Sequence, residues 1–137
     1  MRSFDDRVTV RAQPALMSTT ITSTFDAAAL RAAIEGHDPA ALANLYTDDC
    51  VVEIADQTNT PSNPSRIEGR AALRAVFDDV YGRDMTHRLG TIAVGADAIG
   101  YTIHCEYPDG TKVLCAGVAE LRDGRIARET GVQAWDS

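Results

Sequence analysis

Three side chains in this sequence can move protons and fall where strands would aim them inward: Asp56, His87 and Glu129. In the last β-rich run, Ala127, Glu129, Gly131, Gln133 and Trp135 alternate onto one face. A carboxylate on so small and apolar a face loses water, which raises its pKa and makes it a usable base near neutral pH. Asp56 ends the first β-rich run on the parity of Val52 and Ile54, so an inward Ile54 implies an inward Asp56. His87 opens the next run, and imidazole titrates close to neutrality, as an acid or base requires. Each has a plainer alternative. Asp56 also fits a solvated turn aspartate, Glu129 a surface pair with Arg125 or Arg128, and His87 an exposed strand end.

Around these, Tyr46, Ile54, Tyr101, Ile103, Cys115, Gln133 and Trp135 are the candidate lining of a pocket, the aromatic ones adding O–H and N–H donors or simply filling the core. Tyr101, Ile103 and Cys105 share one strand face, with His104 and Glu106 on the other; Cys115, Gly117, Ala119 and Leu121 share the next. One bulge would exchange the faces. Cys115 needs a basic neighbour to act as a nucleophile, and the sequence displays none. His37 belongs to an interhelical turn and His104 to the outer face, so the three histidines have no local metal-ligand spacing. No G-x-S-x-G, phosphate loop, dinucleotide fingerprint or H-E-x-x-H occurs. The expectation is therefore no metal and no cofactor.

Two short helices and one long one must hold these groups. Phe25–Ile34 has a helical apolar stripe, with Thr24 as N-cap and Gly36 as stop. Asp38 caps a second helix from Pro39 to Tyr46, ended by Thr47-Asp48-Asp49. Cys50–Ile54 reads as a strand, and 56–66 as a long loop shaping a pocket mouth. Leu73, Val76, Phe77, Val80 and Tyr81 mark one face of a third helix closed by Gly82. Four strands follow, near Thr86–Val94, Ala98–Tyr107, Lys112–Leu121 and Arg125–Trp135, broken by Gly95-Ala96-Asp97, Pro108-Asp109-Gly110 and Arg122-Asp123-Gly124. Helices segregated from an antiparallel sheet define an α+β fold.

With 137 residues the chain makes one domain, and 45% hydrophobic residues give it a core. Its 13 Lys and Arg against 20 Asp and Glu leave a net charge of −7, which argues against nucleic acid and anionic membrane as partners. No apolar run approaches the roughly 20 residues of a membrane span. Cys50, Cys105 and Cys115 make no disulfide framework and read as reduced thiols, so the expected compartment is the cytoplasm. Residues 1–23 read as a flexible N-terminal tail without a secretory signal, and Met17 offers an alternative start. Residues 24–137 are the domain.

The element order and four phrases carry a family resemblance. They are Ala33-Ile34-Glu35-Gly36-His37-Asp38-Pro39-Ala40-Ala41-Leu42, Leu45-Tyr46-Thr47-Asp48-Asp49-Cys50-Val51-Val52-Glu53, Ile67-Glu68-Gly69-Arg70-Ala71-Ala72-Leu73 and Asp123-Gly124-Arg125-Ile126-Ala127-Arg128-Glu129. From Phe25 to Trp135 the chain resembles the SnoaL-like branch of the nuclear transport factor 2-like, or cystatin-like, superfamily. The resemblance implies three helices packed in the concave face of a curved, mostly antiparallel sheet, a cone-shaped α+β barrel around a largely apolar pocket. Relatives include ketosteroid isomerases, polyketide cyclases, scytalone dehydratase and limonene epoxide hydrolase, beside noncatalytic binding and dimerisation modules. The ketosteroid isomerase base would fall at Ile54, its donor tyrosine at Leu30 and its protonated aspartate near Ala119, so that arrangement is absent. Asp56 lies two residues beyond the base position, and His87 is similar in place to histidines of dehydratase-like relatives. The reading that results is a pocket for a small, mostly apolar molecule, with isomerase, dehydratase or cyclase chemistry shared by Asp56, His87 and Glu129. The alternative is a noncatalytic ligand-binding or dimerisation module. A homodimer through the outer sheet face is the implied assembly.

Overall fold

Asp26 accepts the backbone N–H of Ala29 at 2.9 Å and starts α1 (Ala27–Glu35). The cap is Asp26 rather than Thr24, because a carboxylate answers both the free amides and the positive end of the helix. The computed structural model describes residues 24–137; the tail expected at 1–23 lies outside the described residues. Asp38 caps α2 (Pro39–Ala43), with Pro39 in the first turn as the sequence implies.

This second helix stops short of Tyr46. The carbonyl of Leu45 accepts the amide of Ile126, and Tyr46 pairs with Ile126 as the first residue of β1 (Tyr46–Ala55). The turn expected at Thr47-Asp48-Asp49 is therefore strand, with exposed Asp48 and Asp49 paired to Arg70 and Arg122. β2 (Ser65–Glu68) takes up the end of the expected loop and pairs antiparallel with β1. Then comes α3 (Arg70–Val80), anchored by buried Leu73. Val76, Phe77, Val80 and Tyr81, on the same side, stay partly exposed because they face a cavity.

The meander falls where the turn residues place it: β3 (Thr86–Val94), β4 (Ala98–Glu106), β5 (Lys112–Arg122) and β6 (Arg125–Trp135). β1 runs parallel to β6, which gives the order β2-β1-β6-β5-β4-β3 in one curved, open sheet. The expected single early strand is a pair, and the helices pack on the sheet's concave face.

Two bulges set which side chains face inward. Between β5 and β6, Leu121 pairs with Ile126 and Glu120 with Arg128, so Ala127 is an extra residue. Ile126, not the expected Ala127, is buried in the core. Between β3 and β4, Leu89 pairs with Ile103 but Ile92 with Tyr101, so Gly90 and Thr91 together face Thr102. A bulge of this kind re-aims every side chain beyond it.

Candidate functional site

Between α3 and the sheet lies a cavity of about 460 Å³, within the range of small-molecule sites. Apolar side chains dominate its wall, and Glu129 is its one buried carboxylate among the described residues. Only 7% of Glu129 is exposed. Its Oε1 accepts the Tyr46 hydroxyl at 2.6 Å, and its Oε2 accepts the Tyr101 hydroxyl. Arg125 and Arg128 are exposed and do not pair with it. Burial pushes the Glu129 carboxyl above its usual range, while the two tyrosine hydrogen bonds pull less strongly the other way. Burial and the nearby carboxylate raise both tyrosines, so their hydroxyls stay protonated and donate.

Tyr101 reaches Glu129 because the strand between them is bare. Tyr101 pairs with Gly117, and Gly117 with Gly131. A Cβ at Gly117 would overlap the Tyr101 hydroxyl, so only glycine lets the phenol lie across β5 toward β6.

His87 is 6% exposed and sits opposite Cys105 in the β3–β4 ladder. Its Nδ1 is 3.3 Å from the Cys105 thiol. The ring is wedged between Tyr81, with centroids 4.4 Å apart, and His37, at 5.0 Å. His37 enters this stack from the interhelical turn with φ of 54°. Buried Nε2 of His87 has no hydrogen-bond partner among the described residues. Tyr81, Phe77 and Tyr46 continue the aromatic wall from His87 to Glu129, with neighbouring centroids 6.0 Å and 5.7 Å apart.

Asp56 lies on the cavity rim, but its contacts are local. One oxygen accepts the amides of Thr58 and Asn59 at 2.9 Å and 2.8 Å, together with both side chains. The Thr58 amide is the main cause holding this carboxyl below its usual range. The geometry is that of the turn aspartate. Ile54, Ile103, Cys115, Gln133 and Trp135 all line the cavity. Trp135 spends its N–H on Gln133 Oε1 at 3.2 Å and stacks on Tyr107 at 5.9 Å. No group of three His, Cys, Asp or Glu side chains among the described residues could hold a metal ion.

The sequence reading missed Cys105 as a partner of His87. Counting outward from the β3–β4 turn, with Val94 opposite Ile99, places His87 against Glu106 and outside. The bulge moves it by one residue, against Cys105 and inside. Gly90 was the available signal, since an isolated glycine in a strand often marks a bulge.

A curved, open sheet with helices over its concave face, and between them an apolar cavity with a buried carboxylate on its wall, defines a nuclear transport factor 2-like α+β fold. The SnoaL-like domain model matches residues 27–129, and the chain belongs to that family. Among solved structures it is similar to a nuclear transport factor 2-like protein of unknown function from Mesorhizobium loti. The identity is 25% and the TM-score 0.67, over 82% of this chain and 98% of that one. It is also similar to a provisionally named ketosteroid isomerase from Kribbella flavida, at 19% identity and TM-score 0.64, over 81% and 75% of the two chains. A third is SalBIII, an epoxide hydrolase/cyclase-like enzyme of pyran ring formation in salinomycin, at 21% identity and TM-score 0.58, over 80% and 86%. The last two likenesses concern the fold. No curated protein matches the chain. No described helix is long and apolar enough to cross a membrane.

Proposed function

We propose that the cavity binds a small, mostly apolar molecule and that Glu129 transfers a proton on it without a cofactor, in chemistry of the isomerase, dehydratase or cyclase type. The observation that carries this reading is the buried carboxylate held by two tyrosine hydroxyls in an apolar wall. Desolvation makes Glu129 a stronger base than a surface carboxylate, and the two hydrogen bonds fix its direction. His87 is the complementary group. When the Cys105 thiol donates to Nδ1, the ring proton sits on Nε2. In that tautomer Nε2–H is free to donate to a ligand oxygen that gains charge as the proton leaves. Asp56, tied into its own turn, would steer ligands at the mouth rather than exchange protons.

Similarity to an isomerase-named protein and a cyclase-like enzyme supports the same class. Its three free thiols support a reducing, cytoplasmic compartment. Exposed Leu114, Val118 and Val132 on the outer face support a homodimer.

Hydrogen–deuterium exchange of cyclic and β,γ-unsaturated ketones in D₂O, followed by proton NMR, tests the reading. The wild type is expected to catalyse exchange and Glu129→Gln to lose about a hundredfold or more of it while keeping its fold. Binding without exchange, seen as a change in Trp135 fluorescence and unaltered in Glu129→Gln, would instead establish the noncatalytic binding module. Neither exchange nor binding across the panel overturns the proposal.

A further inference from the structure

Proton transfer at Glu129 leaves the two thiols beside His87 unused. Cys105, Cys115 and His87 all line the cavity. Cys105 stands opposite His87 on β3, and Cys115 lies diagonally across on β5, where Ile103 is its direct partner. Both thiols are free. The imidazole beside Cys105 cannot swing away, because Tyr81 and His37 clamp its ring. Cys105 also borders a groove of about 490 Å³ on the opposite side of the sheet, which it shares with His104 and Trp135.

We propose that Cys105 is a nucleophile that captures an α,β-unsaturated carbonyl compound, small and apolar enough for the cavity, as a thioether, with His87 as its proton carrier. Cys105 rather than Cys115 is the attacking sulfur. Only Cys105 has a base in contact. Cys115 and His87 hold the Cys105 thiol below its usual range, whereas Cys105 and burial push Cys115 up. Cys50, in the core, is pushed up by burial and has no such partner.

The step begins with His87 taking the Cys105 proton. The thiolate sulfur then forms a bond to the β-carbon. The C=C π pair moves toward the carbonyl as an enolate, and the imidazolium returns the proton to the α-carbon. The S–H has added across the double bond. Nothing is oxidised or reduced overall, and no co-reactant is consumed. The step shares His87 with the acid–base reading but not Glu129, so loss of exchange without loss of the adduct, or the reverse, tells the two apart.

Incubation with 2-cyclohexenone, followed by intact mass and peptide mapping, tests it. The expected result is a single adduct on Cys105, forming about tenfold or more faster than on glutathione at the same pH. Cys105→Ser abolishes that adduct. His87→Gln slows it about tenfold or more, with the fold checked by circular dichroism. The competition among the three cysteines of the wild type requires no variant to fold. First labelling at Cys50 or Cys115, or a Cys105 rate no higher than that of glutathione, overturns the proposal.

Discussion

Tyr46 and Glu129 are 83 residues apart in the chain, yet the phenol donates to the carboxylate across 2.6 Å in a buried site. The parallel β1–β6 pairing makes this meeting possible, since it seats Tyr46 beside Ile126 and Val52 beside Glu129. Tyr101 closes on the other oxygen from β4. Removing either hydroxyl leaves a carboxylate oxygen with one donor fewer in a place water reaches poorly. Tyr46→Phe and Tyr101→Phe are each expected to cost about 1.5–3 kcal/mol, read by urea denaturation. Adding Glu129→Gln to either should cost less than the sum of the singles, because the shared contact is already lost. Additive losses would mean the hydroxyls do not serve the carboxylate.

Glu129 also gives a signed pH dependence. Its carboxyl is raised in the folded protein, so the native state binds that proton more tightly than the unfolded chain. Between the ordinary glutamate value and the raised one, the folded state carries the extra proton. Stability from this group is therefore full below the ordinary value and is lost as pH rises through the raised one. Thermal melts of wild type and Glu129→Gln, from about pH 4 to about pH 8, are expected to show the wild type losing ground to the variant as pH rises. A difference that stays flat or reverses would contradict the burial of an ionisable Glu129.

The local elements were legible because single residues announce them. Asp38-Pro39 fixes the start of α2, and Asp123-Gly124, with both residues at positive φ, fixes the β5–β6 turn. Tyr46 misled because its strand partner, Ile126, is remote: an aromatic after an apolar helical stripe suits either element until β6 is in place. The site was legible by residue type and less so by direction. Glu129 faces inward in either case when parity is counted from Trp135, but counting from the β5–β6 turn would put Arg128 opposite Ala119. The extra Ala127 corrects this, and alanine carries no bulge signature. The inward direction of His87 likewise rests on the β3–β4 bulge, with Gly90 as its trace in the sequence.

Gly90 makes that second bulge testable. A Cβ there would overlap the Thr102 hydroxyl, which accepts the Thr91 amide at 3.2 Å and is not free to turn away. Gly90→Ala is expected to cost about 1–3 kcal/mol. Thr102→Ala in the same chain should restore part of it, since the overlapping hydroxyl is gone. The double variant is compared with the two singles in urea. A Gly90→Ala protein as stable as wild type would show that the bulge does not depend on glycine.

The outer sheet face gives the last expectation. Leu114 and Val118 alternate along β5, and Val132 on β6 pairs beside them at Ala116, so the three form one apolar patch. Val118 is 60% exposed and Val132 55%. Large apolar side chains clustered on an open face cost little singly, but together they favour a partner that removes them from water. If a second copy covers the patch, Val118→Glu buries two like charges at the two-fold interface and should split the dimer. The same change on a monomer's surface should shift stability by no more than about 0.5 kcal/mol. Light scattering during size exclusion is therefore expected to report two chains for the wild type and one for Val118→Glu, with circular dichroism unchanged. A wild type that stays monomeric at high concentration, or a Val118→Glu protein that stays dimeric, would remove the outer face as the contact.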